Sequence, residues 1–390
     1  MIMNIETWVP VDIRDSLGIV AKGEKKKGHP SYCLNNGRLS PLTLYCYLKS
    51  KFGPPNGIQM LFKKPNDSDN LIHWHYTIRS DEDILEILGM NTKIEFWLNS
   101  SVKVSESDWD DLINRIKQDF KNQGPGMSAI RKDLEHWWLF INPYSRFSGI
   151  VSSGVEKLKA LDIENIKVPD VLKRRTAQDE FMQEIEAYTK SYTEAGFLCA
   201  TLRLVAPVYA ESFVNLLIFL TAKPEVKADE RLYQDLIRKQ IDVRVKSLPL
   251  YCHGFKSSPD DTSVEFKAFL RLMNHRNDIL HGNIDPQSLK FDEVWFDGYT
   301  PLFKDEKLLL ERATYHSLKH IEPTAVMEDV QTVETFIEYL MTLLEPNVRQ
   351  QVELLANDPY PGWREETGRV GKLFSNLVAD ISPVFKSDES

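Results

Sequence analysis

Arg276 and His281 stand five positions apart in residues 274–283, which read NHRNDILHGN. A guanidinium and an imidazole suit one reaction in particular, cleavage of an RNA phosphodiester by its own 2′-hydroxyl. A base takes the hydroxyl proton, a cation neutralises the charge that builds on the phosphorus oxygens, and an acid protonates the leaving 5′-oxygen. That sequence of events needs no metal ion or other cofactor. Arginine's planar fork meets two phosphate oxygens at once, which a lysine ammonium does less well.

Residues 263–281 read as a helix with Thr262 or Ser263 as its cap. At about 100° per residue, Phe266, Phe269, Leu270, Met273 and Leu280 fall on one apolar stripe. Arg276 and His281 lie on its opposite shoulders, about 140° apart. Lys267, Arg271, His275 and Asp278 gather on the outer face. Asn277 falls within the stripe, where an amide needs a hydrogen-bond partner. Four residues before His281, it is expected to hold the imidazole in one tautomer. Gly282 suits the left-handed residue that ends a helix, which puts His281 in the last turn. The carbonyl end of a helix favours imidazolium and is expected to raise the histidine's pKa.

The run Arg276-Asn277-Asp278-Ile279-Leu280-His281-Gly282 resembles the R-N-x-x-x-H-G signature of the HEPN superfamily. The resemblance covers residues 180–345 and implies a compact helical bundle. It further implies a metal-independent endoribonuclease in which two motifs face each other across a homodimer. Arg276 would contact the scissile phosphate, His281 would be the acid and base, and Asn277 would support both. One motif offers one histidine for two proton transfers, so a second copy is expected. Many members act in toxin–antitoxin pairs or phage defence, which implies a regulatory protein or phage-derived trigger as partner. A second Arg-x-x-x-x-His pair, Arg131 and His136, has Lys132 where the signature has a small polar residue and Trp137 where it has glycine. It reads as an ordinary structural helix.

Around this motif the chain is expected to be mainly α. Residues 1–104 read as a small α+β module for sensing or partner binding. Strands are expected at 57–62, 71–78 and 92–98, and short helices at 41–51 and 81–88. Residues 105–176 read as a helical connector, with one helix ended by Gly124-Pro125-Gly126, another over 127–140, and a loop-rich stretch over 142–169. Residues 177–357 form the HEPN-like domain. Its helices are expected at 177–204, at 208–222 after a break at Pro207, at 229–247 and at 263–281, followed by a hairpin over 291–303 about Asp297-Gly298. Helices at 325–344 and 347–357 and an extension over 358–390 complete the chain. On the helix at 208–222, Glu211 stands among Phe213, Leu216 and Leu217, placed to pair with Arg276 or sit as an exposed carboxylate.

The net charge of −9 excludes binding of nucleic acid by bulk attraction, so RNA must meet a local basic surface. Arg238, Lys239, Arg244 and Lys246 form the run nearest the motif; Lys25–Lys27 and Lys173–Arg175 are two others. His73 and His75 share a strand face and could begin a metal site, yet a third ligand is missing nearby. His316 and His320 lack the glutamate of zinc proteases, and Trp137-Trp138 reads as core. The cysteines Cys33, Cys46, Cys199 and Cys252 are scattered and read as buried thiols. The apolar run 213–220 is too short for a bilayer and the amino terminus lacks a secretory pattern, so a cytoplasmic protein is expected. The rival reading is a non-catalytic HEPN-like dimerisation scaffold; a third is a metal hydrolase on His73 and His75.

Overall fold

The computed structural model describes residues 4–12, 29–62, 71–81, 83–90, 93–100, 102–166, 169, 173–281, 293–304, 322–373 and 379–381. The chain divides into two units, the first ending at His136. In the first, β1 (Val9–Pro10), β2 (His29–Leu34), α1 (Pro41–Phe52), β3 (Leu61–Phe62), β4 (Leu71–Ser80), β5 (Asp83–Met90), β6 (Ile94–Ser100) and α2 (Glu106–Asp133) follow one another. The strands form an antiparallel sheet of order β1-β4-β5-β6-β2, with β3 also on β4. The period of two sorts its faces: Tyr76, Ile87 and Phe96 lie side by side across three strands, as do Ile78, Leu85 and Leu98, and all six are buried. Leu44, Tyr47 and Leu48 of α1 and Trp109, Leu112, Ile113 and Ile116 of α2 complete that core.

Three expectations for this unit are overturned, the first being the strand at 57–62, of which only Leu61–Phe62 forms. Where a helix was expected over 81–88, residues 83–88 belong to β5, with Ser80 paired to Asp83 and Asp81 at φ 54°. The glycine-proline-glycine run does not end the next helix; α2 continues through Pro125 to Asp133. Packing on α1 holds it there, with Ser50 Oγ donating to Gln123 at 3.0 Å and a side chain at Gly126 leaving no room for Ser50. The apolar face of α2 thus belongs to the core of the amino-terminal unit.

The second unit is mainly helical. It runs β7 (Trp138–Leu139), α3 (Pro143–Ala160), α4 (Gln178–Thr221), α5 (Glu230–Arg238), α6 (Ile241–Tyr251), α7 (Val264–His281), β8 (Val294–Asp297), β9 (Thr300–Phe303), α8 (Pro323–Thr342), α9 (Pro346–Ala356), β10 (Gly362–Arg364), β11 (Arg369–Lys372) and β12 (Ala379–Ile381). Helices α3, α7 and α8 pack along α4, whose apolar residues from Ala195 to Leu220 form the centre of one continuous core. By length and composition α4 could cross a bilayer, but 61% of its apolar window is buried inside the unit, as befits a central core helix.

Pro207 does not break α4. It is itself buried, and helix packing on both sides offsets the hydrogen bond that proline removes. Residues 142–160 are helical rather than loop-rich. Asn142 explains why: fully buried, its Oδ1 accepts from the Tyr144 and Ser145 amides while Nδ2 donates to the carbonyls of Leu355, Ala356 and Asp358. One side chain thus caps the start of α3 and the end of α9. Within residues 358–390, β10 pairs with β7 and β11 in a sheet of order β12-β11-β10-β7. The predicted helix at 229–247 is two helices, α5 and α6.

The hairpin about Gly298 forms as expected, with Gly298 at φ 63°. Every residue of β8 and β9 is exposed, Trp295 and Phe296 among them. The core anchor of the unit lies elsewhere, in Phe269, which stacks on Phe336 at 4.0 Å and an interplanar angle of 7°. Phe269→Ala should lower unfolding stability by about 3–5 kcal/mol. Trp295→Ala should change it by no more than about 0.5 kcal/mol. Denaturant unfolding of the two variants checks the contrast, and equal losses would contradict the assignment of the core.

Candidate active site

Helix α7 enters the core and leaves it again. Ser263 accepts the Phe266 amide at 3.2 Å and so caps its start. Phe266, Phe269, Leu272 and Met273 are buried against α4 and α8, with Leu270 packed at the edge. Beyond Met273 the burial ends: Asn274, His275, Asn277, Asp278, Leu280 and His281 are exposed. The outer-face residues Lys267, Arg271, His275 and Asp278 lie where the helical projection put them, but Leu280 is 52% exposed and does not belong to the buried stripe. Asn277 is likewise not core-facing, which corrects the expectation of a buried amide. Gly282 lies outside the described residues.

Among the described side chains of these last two turns Arg276 is the exception, at 21% exposure and with its Nε buried. Its Nη1 lies 3.7 Å from Glu211 Oε1 on α4 and donates to Asn277 Oδ1 at 3.3 Å. Arg276 thus lies beside both Asn277 and Glu211, the pairing that was one of the two alternatives open for Glu211. His281, the last residue of α7, is exposed, and among the described residues no hydrogen bond ties it to Asn277 or Arg276. Arg131 and His136 do not share a helix as expected, since Arg131 lies in the last turn of α2, which ends at Asp133, and His136 lies beyond it.

The basic run does not form the expected surface. Arg244 is buried at 7% exposure, where Nη1 donates to Asn215 Oδ1 at 2.9 Å and Nη2 to the Lys239 carbonyl at 2.7 Å. It therefore cannot serve as a surface contact to RNA. Burial pulls its pKa below the ordinary value, while the charge of Glu211 acts in the opposite sense. Lys239 is paired with Asp235 at 2.9 Å and Lys246 with Asp261 at 2.9 Å, so both charges are locally neutralised. Arg238 remains exposed at the end of α5. Of the other runs, Lys173 pairs with Glu184 at 2.6 Å, and Lys25–Lys27 lie outside the described residues.

Sequence reasoning missed the arrangement around Glu211. Glu211 and Asn215 are one turn apart on α4, and Arg244 and Arg276 approach them from α6 and α7. The signals were a polar pair spaced by four within an apolar run, and an arginine between Val243 and Val245. Arg276 pairs with Glu211 while Arg244 is held by Asn215 one turn further along α4, and the Glu211 charge acts on both guanidinia.

The metal reading of His73 and His75 fails on geometry. His75 is buried and its Nδ1 accepts the Ile58 amide at 3.1 Å, so the lone pair is already used and the proton sits on Nε2. His316 and His320 lie outside the described residues. Comparisons with known proteins give no significant match to any family model, curated protein or solved structure.

Burial lowers the pKa of His75 from 6.5 to about 4. A depressed histidine contributes stability that is complete above pH 6.5 and is lost as pH falls toward the folded-state value. The amino-terminal unit should therefore lose about 3 kcal/mol between pH 7 and pH 4 through this one group. In His75→Asn, urea unfolding across that range should show a flatter profile; an unchanged slope would show that His75 is not the titrating group.

Proposed function

We propose that the protein is a metal-independent endoribonuclease of the HEPN type, cleaving RNA by attack of the 2′-hydroxyl at a site completed by a second copy of the chain. The observation that carries this reading is the end of α7, where Arg276 is recessed beside Glu211 and His281 stands exposed five residues later. A recessed guanidinium held by a carboxylate is pre-oriented for a phosphate, and fixing it beforehand removes an ordering penalty from the reaction. An imidazole open to solvent can exchange protons with substrate and water. Asn277 reaches the Arg276 guanidinium and supports its orientation.

Homodimerisation supplies what one copy lacks. With a single histidine per motif, one imidazole serves as base and the partner's as acid. Exposure of His281 and Leu280 in one subunit is what a crevice completed by another chain requires. Such an enzyme belongs in the cytoplasm, as a toxin or anti-phage effector, with the amino-terminal unit receiving a regulatory protein or phage-derived trigger.

One observation favours a second reading, a HEPN-like binding scaffold without catalysis. The exposed aromatic hairpin β8–β9 is a surface suited to contact with another macromolecule. Incubation with total RNA in EDTA separates the two, because only the enzyme leaves fragments with cyclic phosphate ends. Arg276→Ala and His281→Ala, both on the exposed end of α7, should keep the native unfolding transition and lower the cleavage rate by about 100-fold or more. Cleavage that persists at the native rate in both purified variants would overturn the nuclease reading.

A further inference from the structure

We propose that the outer edge of β2 is a docking site for an extended, positively charged segment of another protein, which joins the amino-terminal sheet as one more strand. The site stands whether or not the chain cleaves RNA. β2 closes one side of the sheet and, among the described residues, pairs only with β6. The Asn35 amide donates to the Ile94 carbonyl at 3.1 Å, and this fixes the alternation of the ladder. Odd-numbered residues of β2 bond to β6, so Tyr32 and Leu34 turn their amides outward. Among the described residues neither amide has an acceptor, and the Tyr32 carbonyl has no donor. Sheet edges are ordinarily guarded by lysine, proline or a bulge. On β2 only Pro30 serves that purpose, at the start of the strand, and the run from Tyr32 to Leu34 stays open.

The two sides of this edge select the strand that fits. On the helix side, β2 and the start of α2 enclose a groove of about 410 Å³ whose walls include Ser31, Cys33, Val104, Glu106 and Trp109. Alternate side chains of an added strand enter it. On the opposite side the rings of Tyr32 and Trp97 lie 4.9 Å apart at 59°, with 44% and 41% of these residues exposed. Such a pair of open rings is a platform for a cation. Glu86 continues the same cross-strand row beyond Trp97. Arg38 and Lys93, basic residues beside this edge, are already paired, with Asp110 at 2.8 Å and Glu95 at 3.1 Å. Glu106, at the mouth of the groove, pairs with no cation among the described residues. Charge therefore favours a basic segment over an acidic one. Main-chain bonds to Tyr32 and Leu34 hold the strand, and the groove and ring pair choose its side chains.

The test uses the full chain and a fluorescent peptide, Thr-Val-Arg-Val-Thr blocked at both ends, whose arginine faces Tyr32 when its valines point into the groove. The peptide should bind, and at saturation hydrogen exchange at the Tyr32 and Leu34 amides should slow by about tenfold or more. Glutamate in place of the peptide arginine should weaken binding by about tenfold. Methylation of that arginine's backbone nitrogen, which removes the donor to the Tyr32 carbonyl, should weaken it by a similar factor. Leu34→Pro deletes an outward amide without removing a bond between β2 and β6, and should also bind about tenfold more weakly. The methylated peptide leaves the protein untouched, so the comparison holds even if Leu34→Pro fails to fold. Affinity that is the same for the arginine, glutamate and methylated peptides would overturn the proposal. So would binding without slowed exchange at Tyr32 and Leu34, or no binding at about 1 mM peptide.

Discussion

The stack of Phe269 on Phe336 is the contact on which the carboxy-terminal unit depends. With Phe266 also stacked on Phe336 at 5.8 Å, it clamps the first half of α7 to α8 while α4 closes the other side. Aromatic pairs in such geometry add to the burial of their large apolar area. The clamp stops at Met273, and this matters for chemistry. Beyond the clamp the described side chains of α7 are mostly exposed, with Arg276 held back by Glu211. Arg276 and His281 ride on that projecting end, and only Arg276 turns back far enough to meet Glu211.

The charges there follow from a different constraint, the length of α4. A 44-residue helix brings Glu211 and Asn215 into the region where α6 and α7 arrive. Arg244 is buried beside them because Val245 and Leu248 on the same helix belong to the core, which draws the whole of α6 inward. A buried guanidinium must keep hydrogen bonds to remain charged. Asn215 and the Lys239 carbonyl provide them, and the Glu211 charge adds to their effect.

Much of this was legible in residue types and spacing. The period of α7, its Ser263 cap, the hairpin about Asp297-Gly298 and the strands β4 and β6 all follow from local rules. What escaped is instructive because each case involves tertiary contact overruling a local signal. Pro125 and Pro207 are strong breakers taken alone, yet both lie inside helices whose flanks are packed. Residues 83–90 carry helix-compatible Asp, Glu and Leu but are held as a strand by neighbours on both sides. The run from Arg238 to Lys246 looked like a basic face, whereas acidic partners distant by up to fifteen positions neutralise its lysines. Asn277 looked core-facing because the apolar stripe, read by period alone, continues to Leu280; the core it would face ends one turn earlier.

The central claim is that two copies of α7 meet at their carboxy-terminal ends to complete a site. Cys33, Cys46, Cys199 and Cys252 are all buried, so a cysteine placed on the surface can be addressed alone. Leu280→Cys and Val264→Cys mark the two ends of α7, about 24 Å apart along its axis. Treatment with a short bismaleimide should give a covalent homodimer from Leu280→Cys and leave Val264→Cys monomeric. Equal cross-linking at both ends, or a chain that stays monomeric with either, would contradict a shared site at the end of this helix.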